Sequence, residues 1–276
     1  MGGNPQMIFG TPEFAKVVCL EFSNLFEVLP RLSEALNDLT SRPCEKPEQH
    51  QRVILNLVLL AGTSMVELVT LAGNGLGRGA MKIARTLMET VINAEYLRQF
   101  PGELDAYVKW SWVEKRKDLK YVQDNLPYLL PQIGQDAVDT IEKEFLAARP
   151  LFETPKGDIR LSWCRLSLAD RAVKVGLADM YRRVNPVSSA FIHGTIGGLA
   201  RHFDISKDKD RIAVPPSLDY CPHALIVGHQ CILFVVETLA RAFDWEPIHS
   251  IASLRADLEY AWPAPKPDEG PVAKAK

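Results

Sequence analysis

The sequence predicts an all-α fold: a single helical-bundle domain of about eight to ten helices over residues 1–262, with a disordered tail over 263–276. Three observations lead to it. Apolar residues recur at helical spacing along most of the chain. Cap and proline pairs stand ahead of several of those runs. No alternating strand pattern and no solenoid-period repeat interrupts them.

Thr11-Pro12-Glu13 reads as an N-cap, an N1 proline and a first-turn acid, opening a helix to Thr40 that Pro30 kinks or splits. Pro47 opens a second helix to Ala72, ended by the glycines of Gly73–Gly79. A third covers Ala80–Phe100 and stops at Pro101-Gly102, a fourth covers Glu103–Gln123, and a fifth Pro131–Ala148. After a loop around Arg149–Leu161, Ser167 caps a short helix to Val175, with Gly176 as its stop. Asn185-Pro186 predicts a break and a new helix to His202. The polar loop Asp204–Asp219 precedes an apolar helix, Pro222–Phe243, and a last one, Pro247–Tyr260. The tail is rich in proline and lysine, a composition that lacks the apolar residues a core needs.

A chain of 276 residues can bury about three quarters of its unfolded surface, so core formation does not limit it. A net charge of −2 does not support RNA as a wholesale partner, although a local basic patch stays open. The five cysteines are odd in number and scattered, which predicts a reducing cytoplasm rather than a disulfide framework. The start MGGNPQMIFG lacks the flank and apolar run of a signal peptide, and Gln6 breaks the myristoylation pattern. Val53–Leu71 and Leu225–Ala240 are strongly apolar, but Glu67, His229 and Glu237 lie inside them, so buried core helices are expected and no membrane.

The stretch ARTLMETVINAEYLR, Ala84–Arg98, carries the chemistry. Met81, Ala84, Met88, Val91 and Ile92 form one apolar sector, and Arg85, Glu89 and Tyr96 run along its edge. Arg85 and Glu89, one turn apart, are expected to pair against another helix. The pair is either a structural clamp or a site in which Glu89 orients a histidine and Arg85 holds an anion. In NPVSSAFIHGT, Ser189 and His193 stack on one helix face, and Ile192, Ile196 and Leu199 put His193 at a core margin. An imidazole there has a pKa tunable near neutrality, or is simply a core-edge histidine bonded to a carboxylate.

RTLMETVINAEYL (Arg85–Leu97) followed by MYRRVNPVSSAFIHGT (Met180–Thr195) resembles the bacterial domain-of-unknown-function family 5677. Arg85, Glu89, Tyr96, Tyr181, Ser189, His193 and Gly194 take the places of that family's Arg-x-x-x-Glu, Tyr-Leu and Ser-x-x-x-His-Gly pattern, over about 79–200. The resemblance implies a helical fold and no agreed activity. A looser one is to HEPN helical proteins, some of them metal-independent ribonucleases with arginine four to six residues before histidine. The chain departs from that spacing: Arg183 precedes His193 by ten positions and Arg241 precedes His249 by eight.

Other signals read as structural. GNGLGRG has Arg78 in the place of a third glycine and no preceding strand, so it is a helix stop rather than a phosphate loop. In CPHALIVGHQC, His223 and His229 point about 120° apart on a helix, so core packing outranks zinc among Cys221, His223, His229 and Cys231. Lys109, Arg116, Lys117 and Lys120 form a stripe that Glu114 and Asp118 dilute, which describes a solvated face. No triad or glycosidase carboxylate pair is identifiable from spacing.

The functional expectation is a cytoplasmic module that binds a small ligand or a protein partner, homo-oligomeric association included, through the cluster Arg85, Glu89, Tyr96, Tyr181, Ser189 and His193. The family resemblance loosely suggests stress or mobile-element defence. The alternative is a metal-independent phosphodiesterase on RNA or a nucleotide: His193 as general acid/base, Glu89 its orienter, Arg85 the stabiliser of phosphate charge. A third reading makes the cluster a lock between helices. No metal and no cofactor is expected.

Overall fold

The computed structural model describes residues 12–193 and 218–262, and among them the chain is helical without a named strand. Thr11, Gly194, the 195–202 part of the expected helix, most of the loop after it and the 263–276 tail lie outside the described residues.

The expected first helix is three: α1 (Pro12–Glu21), α2 (Ser23–Glu27) and α3 (Leu29–Thr40). Phe22, at φ −117° and ψ 31°, leaves helical geometry, and Pro30 sits in the first turn of α3, where its missing N–H costs nothing. α4 (Gln49–Gly73) starts from a capping box: the Glu48 side chain accepts from the backbone N–H of Gln51, and the Glu48 N–H donates to Gln51 Oε1 at 3.0 Å. It ends in a Schellman turn. Gly75 takes φ +71°, its N–H donates to Ala72 O at 3.0 Å, and that of Leu76 to Leu71 O at 2.9 Å. The glycine cluster is therefore a helix stop, and α5 (Gly77–Gln99) begins directly after it.

α6 (Leu104–Asn125) follows as expected, but the fifth helix is divided into α7 (Leu130–Ile133) and α8 (Gln135–Phe152). Gly134 between them has φ +82°. α9 (Leu168–Lys174) is capped by Ser167, whose Oγ accepts from the Asp170 N–H at 3.1 Å. Gly176, φ +77°, turns the chain into α10 (Ala178–Ile192). Here the expected break at Asn185-Pro186 does not occur. Pro186 sits inside α10 and offers no N–H to the Arg182 carbonyl, but both residues are exposed, so that acceptor is not shut away from solvent. α11 (Cys221–Phe243) and α12 (Ile251–Ala261) complete the described chain, the latter capped by Ser250, which accepts from the Ser253 N–H at 3.2 Å.

The chain divides into two compact units. The first comprises the described residues of 1–98 and 172–276, and its centre is α11, packed on α4, α3 and α12. Leu225, Val236 and Leu239 of α11 are fully buried. α4 and α11 cross closely at Gly228, where a Cβ would stand 2.7 Å from Met65 Sδ. By length and composition both helices could cross a membrane; their most apolar windows are 39% and 78% buried within the fold. The second unit, 99–171, pairs α6 with α8. Trp110 meets Phe152 edge-on with ring centroids 5.1 Å apart, and Arg116 binds Glu142 at 2.8 Å.

Candidate functional site

Arg85 on α5 and Ser189 on α10 are joined directly. Arg85 Nη1 donates to Ser189 Oγ at 2.7 Å, across 104 residues of sequence. Arg85 is half-buried and, among the described residues, has no carboxylate partner. Glu89 stands one turn along the same helix, yet the expected Arg85–Glu89 ion pair is not formed. An arginine N-terminal to a glutamate at this spacing is the weaker order for a helix pair, and the hydroxyl of the neighbouring helix takes the guanidinium instead.

His193 caps the C-terminus of α10, its N–H donating to Ser189 O at 2.9 Å. Its side chain is exposed, so it lies at a helix end rather than at a core margin, and it makes no hydrogen bond to Glu89. Tyr96 is 4% exposed within the core, and Tyr181 is half-buried in the first turn of α10. Of the six residues, Arg85 and Ser189 meet and His193 lies within a turn of them.

Next to this seam is a cavity of about 250 Å³ between α5, α10 and α11. Met81, Met180, Val184, Val187 and Val227 give it an apolar body, and Tyr220 closes one wall. A second cavity of about 340 Å³, between α10, α11 and α12, is more polar, with Asp179, Arg255, Glu259 and Trp262 in its walls. Met180, Arg183 and Gln230 line both, so the two are adjoining chambers. Arg183 Nε donates to the Asp179 carbonyl of its own helix at 3.3 Å, and among the described residues no carboxylate pairs with it. The Gln230 side-chain amide likewise has no hydrogen-bond partner among the described residues.

Tyr220 is held in an unfavourable backbone conformation, φ 63° and ψ −3°, immediately before α11. A left-handed bulky residue costs about 1–2 kcal/mol and persists only where its surroundings enforce it. The enforcement is visible at Gly77, where a Cβ would lie 2.1 Å from Asp219 O and 2.5 Å from Cys221 N. Arg78 approaches Asp219 at 3.9 Å, and Phe191 of α10 meets the Tyr220 ring edge-on at 5.0 Å. These neighbours hold the tyrosine ring against the cavity.

Sequence reasoning missed this chamber because its wall residues come from three distant segments. It also missed two buried carboxylates. Glu95 accepts from Arg98 at 2.8 and 2.7 Å and from Thr238 of α11 at 2.9 Å. Glu237 of α11 binds Arg241 at 3.4 Å and Arg255 of α12. His229 is fully buried with neither ring nitrogen hydrogen-bonded among the described residues, and burial lowers its pKa to about 4, so it is neutral at pH 7. Burial raises the thiol pKa of Cys231 and Cys221. Among the described residues no three metal-ligating side chains converge. The basic stripe of α6 is partly paired: Lys109 binds Asp105 at 2.9 Å, Arg116 binds Glu142, and Lys117 lies 4.9 Å over Trp110.

A family model described as a family of unknown function, DUF5677, matches residues 51–211. No curated protein and no solved structure matches the chain.

Proposed function

The chain belongs to this family of unknown function, and we propose that it is a small-molecule-binding module whose site is the chamber between α5, α10 and α11. The observation that carries the reading is Tyr220. A strained backbone, fixed by the close approach of Gly77, presents an aromatic ring to an apolar cavity with a few polar groups at its edge. Arg85–Ser189 ties α5 to α10 one turn from Met81, which sets the spacing of two of the chamber's walls. The module is cytoplasmic in this reading, supported by five free cysteines and by the burial of most of the apolar window of α11. A role in stress or defence would follow from what the ligand is.

The test is a ligand-observed NMR screen of a small-fragment set against the wild type and Val187→Phe, which fills the chamber from a half-buried position. Fragments that bind the wild type and are lost from a folded Val187→Phe support the reading. Fragments that bind both equally, or none that binds, sink it.

A second reading rests on a different observation. Arg85 has no carboxylate partner among the described residues and His193 stands within a turn of Ser189, an arrangement compatible with a phosphodiesterase using His193, Glu89 and Arg85. Incubating wild type and His193→Ala with RNA and with a nucleotide diester decides it. Cleavage that disappears in a folded variant supports catalysis, and intact substrate with both proteins removes it.

A further inference from the structure

Resting on the chamber being a ligand site, we infer that its ligand is a monocarboxylate with a hydrocarbon body: the body lies among Met81, Met180, Val184, Val187 and Val227, and the carboxylate binds at Arg183 and Gln230. The division follows from where polarity lies. Apart from Tyr220 and His223 the chamber walls are aliphatic, and the polar residues shared with the second cavity are one guanidinium and one amide. Arg183 uses only Nε, toward a carbonyl of its own helix, which leaves its two terminal nitrogens to a ligand. A guanidinium edge and an amide NH₂ match the two coplanar oxygens of a carboxylate.

The same geometry limits the charge. Glu259 and Asp179, the latter 3.4 Å from Arg182, line the adjoining chamber, so a dianionic phosphate at the junction faces more repulsion than a single negative charge, which Arg183 balances. Arg255 does not change this, because Glu237 already holds it. Size sets a further limit. A cavity of about 150 Å³ accepts benzene, so about 250 Å³ suits a body of about ten non-hydrogen atoms.

Octanoate and its neutral isostere octanamide are the probes, titrated by calorimetry into the full chain. The expected result is octanoate binding with a Kd of about 1 mM or tighter, and octanamide about tenfold weaker. Arg183→Gln should lower octanoate affinity about tenfold and leave octanamide unchanged. Val187→Phe should weaken both, with circular dichroism confirming that it folds. Equal binding of the two probes to the wild type overturns the anionic class while leaving the chamber a ligand site. Octanoate binding that survives both substitutions overturns the location. No octanoate binding up to about 10 mM overturns the proposal, and the fragment screen then judges the chamber independently.

Discussion

The hydroxyl of Thr238 on α11 donates to Oε2 of the buried Glu95 carboxylate on α5 at 2.9 Å, while Arg98 donates to both oxygens of the same carboxylate. α5 does carry an intrahelical ion pair, then, but six residues beyond Glu89. The core tolerates it because the carboxylate accepts three hydrogen bonds.

Thr238→Val keeps the shape and removes one of those bonds. Hydrogen bonds to charged groups contribute about 1.5–3 kcal/mol, so urea unfolding should show a loss in that range. An unchanged midpoint would mean that α5 and α11 do not depend on this link.

His229 gives a pH dependence with a definite sign. Its folded pKa, about 4, lies below the unfolded value of about 6.5, so the unfolded state takes the proton first as pH falls. Stability drops from about pH 6.5 toward about pH 4, by about 3 kcal/mol from this group. His229→Leu should flatten that part of the profile without loss of stability at pH 7, because neither ring nitrogen is hydrogen-bonded among the described residues. Denaturation midpoints from pH 7.5 to 4.5 provide the check, and parallel profiles would refute it.

Gly77→Ala should destabilise the fold by about 2–3 kcal/mol or more, because the new methyl meets backbone atoms that cannot step aside. Gly102→Ala is the control, since a Cβ there meets nothing within 4 Å. Thermal denaturation of the two variants side by side reads the difference; equal melting temperatures would contradict the close approach.

Ser189→Ala removes the partner of Arg85. The expected loss is about 1–2 kcal/mol, small because the half-buried guanidinium can turn to water. If Arg85→Met on top of Ser189→Ala costs little more in a double-mutant cycle, the two residues act as one unit. Fully additive losses would show that they do not.

The all-α class and most helix starts were legible because they depend on neighbours in sequence. Ser167 with Asp170, and the glycines from Gly73 to Gly79, act within one or two turns of themselves. Pro186 misled because its tolerance depends on whether its side of α10 meets water, which a local pattern does not encode. The Arg85 seam was legible as a location, and Ser189 was placed beside it on the family pattern. Its chemistry was not, because spacing alone could not choose between Glu89 and Ser189 as the partner. The chamber was beyond reach for a related reason: Gly77 and Tyr220 become meaningful only when they touch.

Tyr220 sets two demands against each other. Glycine at this position would relax the left-handed backbone, and by that criterion alone it is the better residue. It would also remove the ring that walls the cavity and meets Phe191. Selection of variants for heat resistance alone should therefore drift toward an open, emptied pocket at residue 220, gaining robustness as it sheds the ring that walls the cavity.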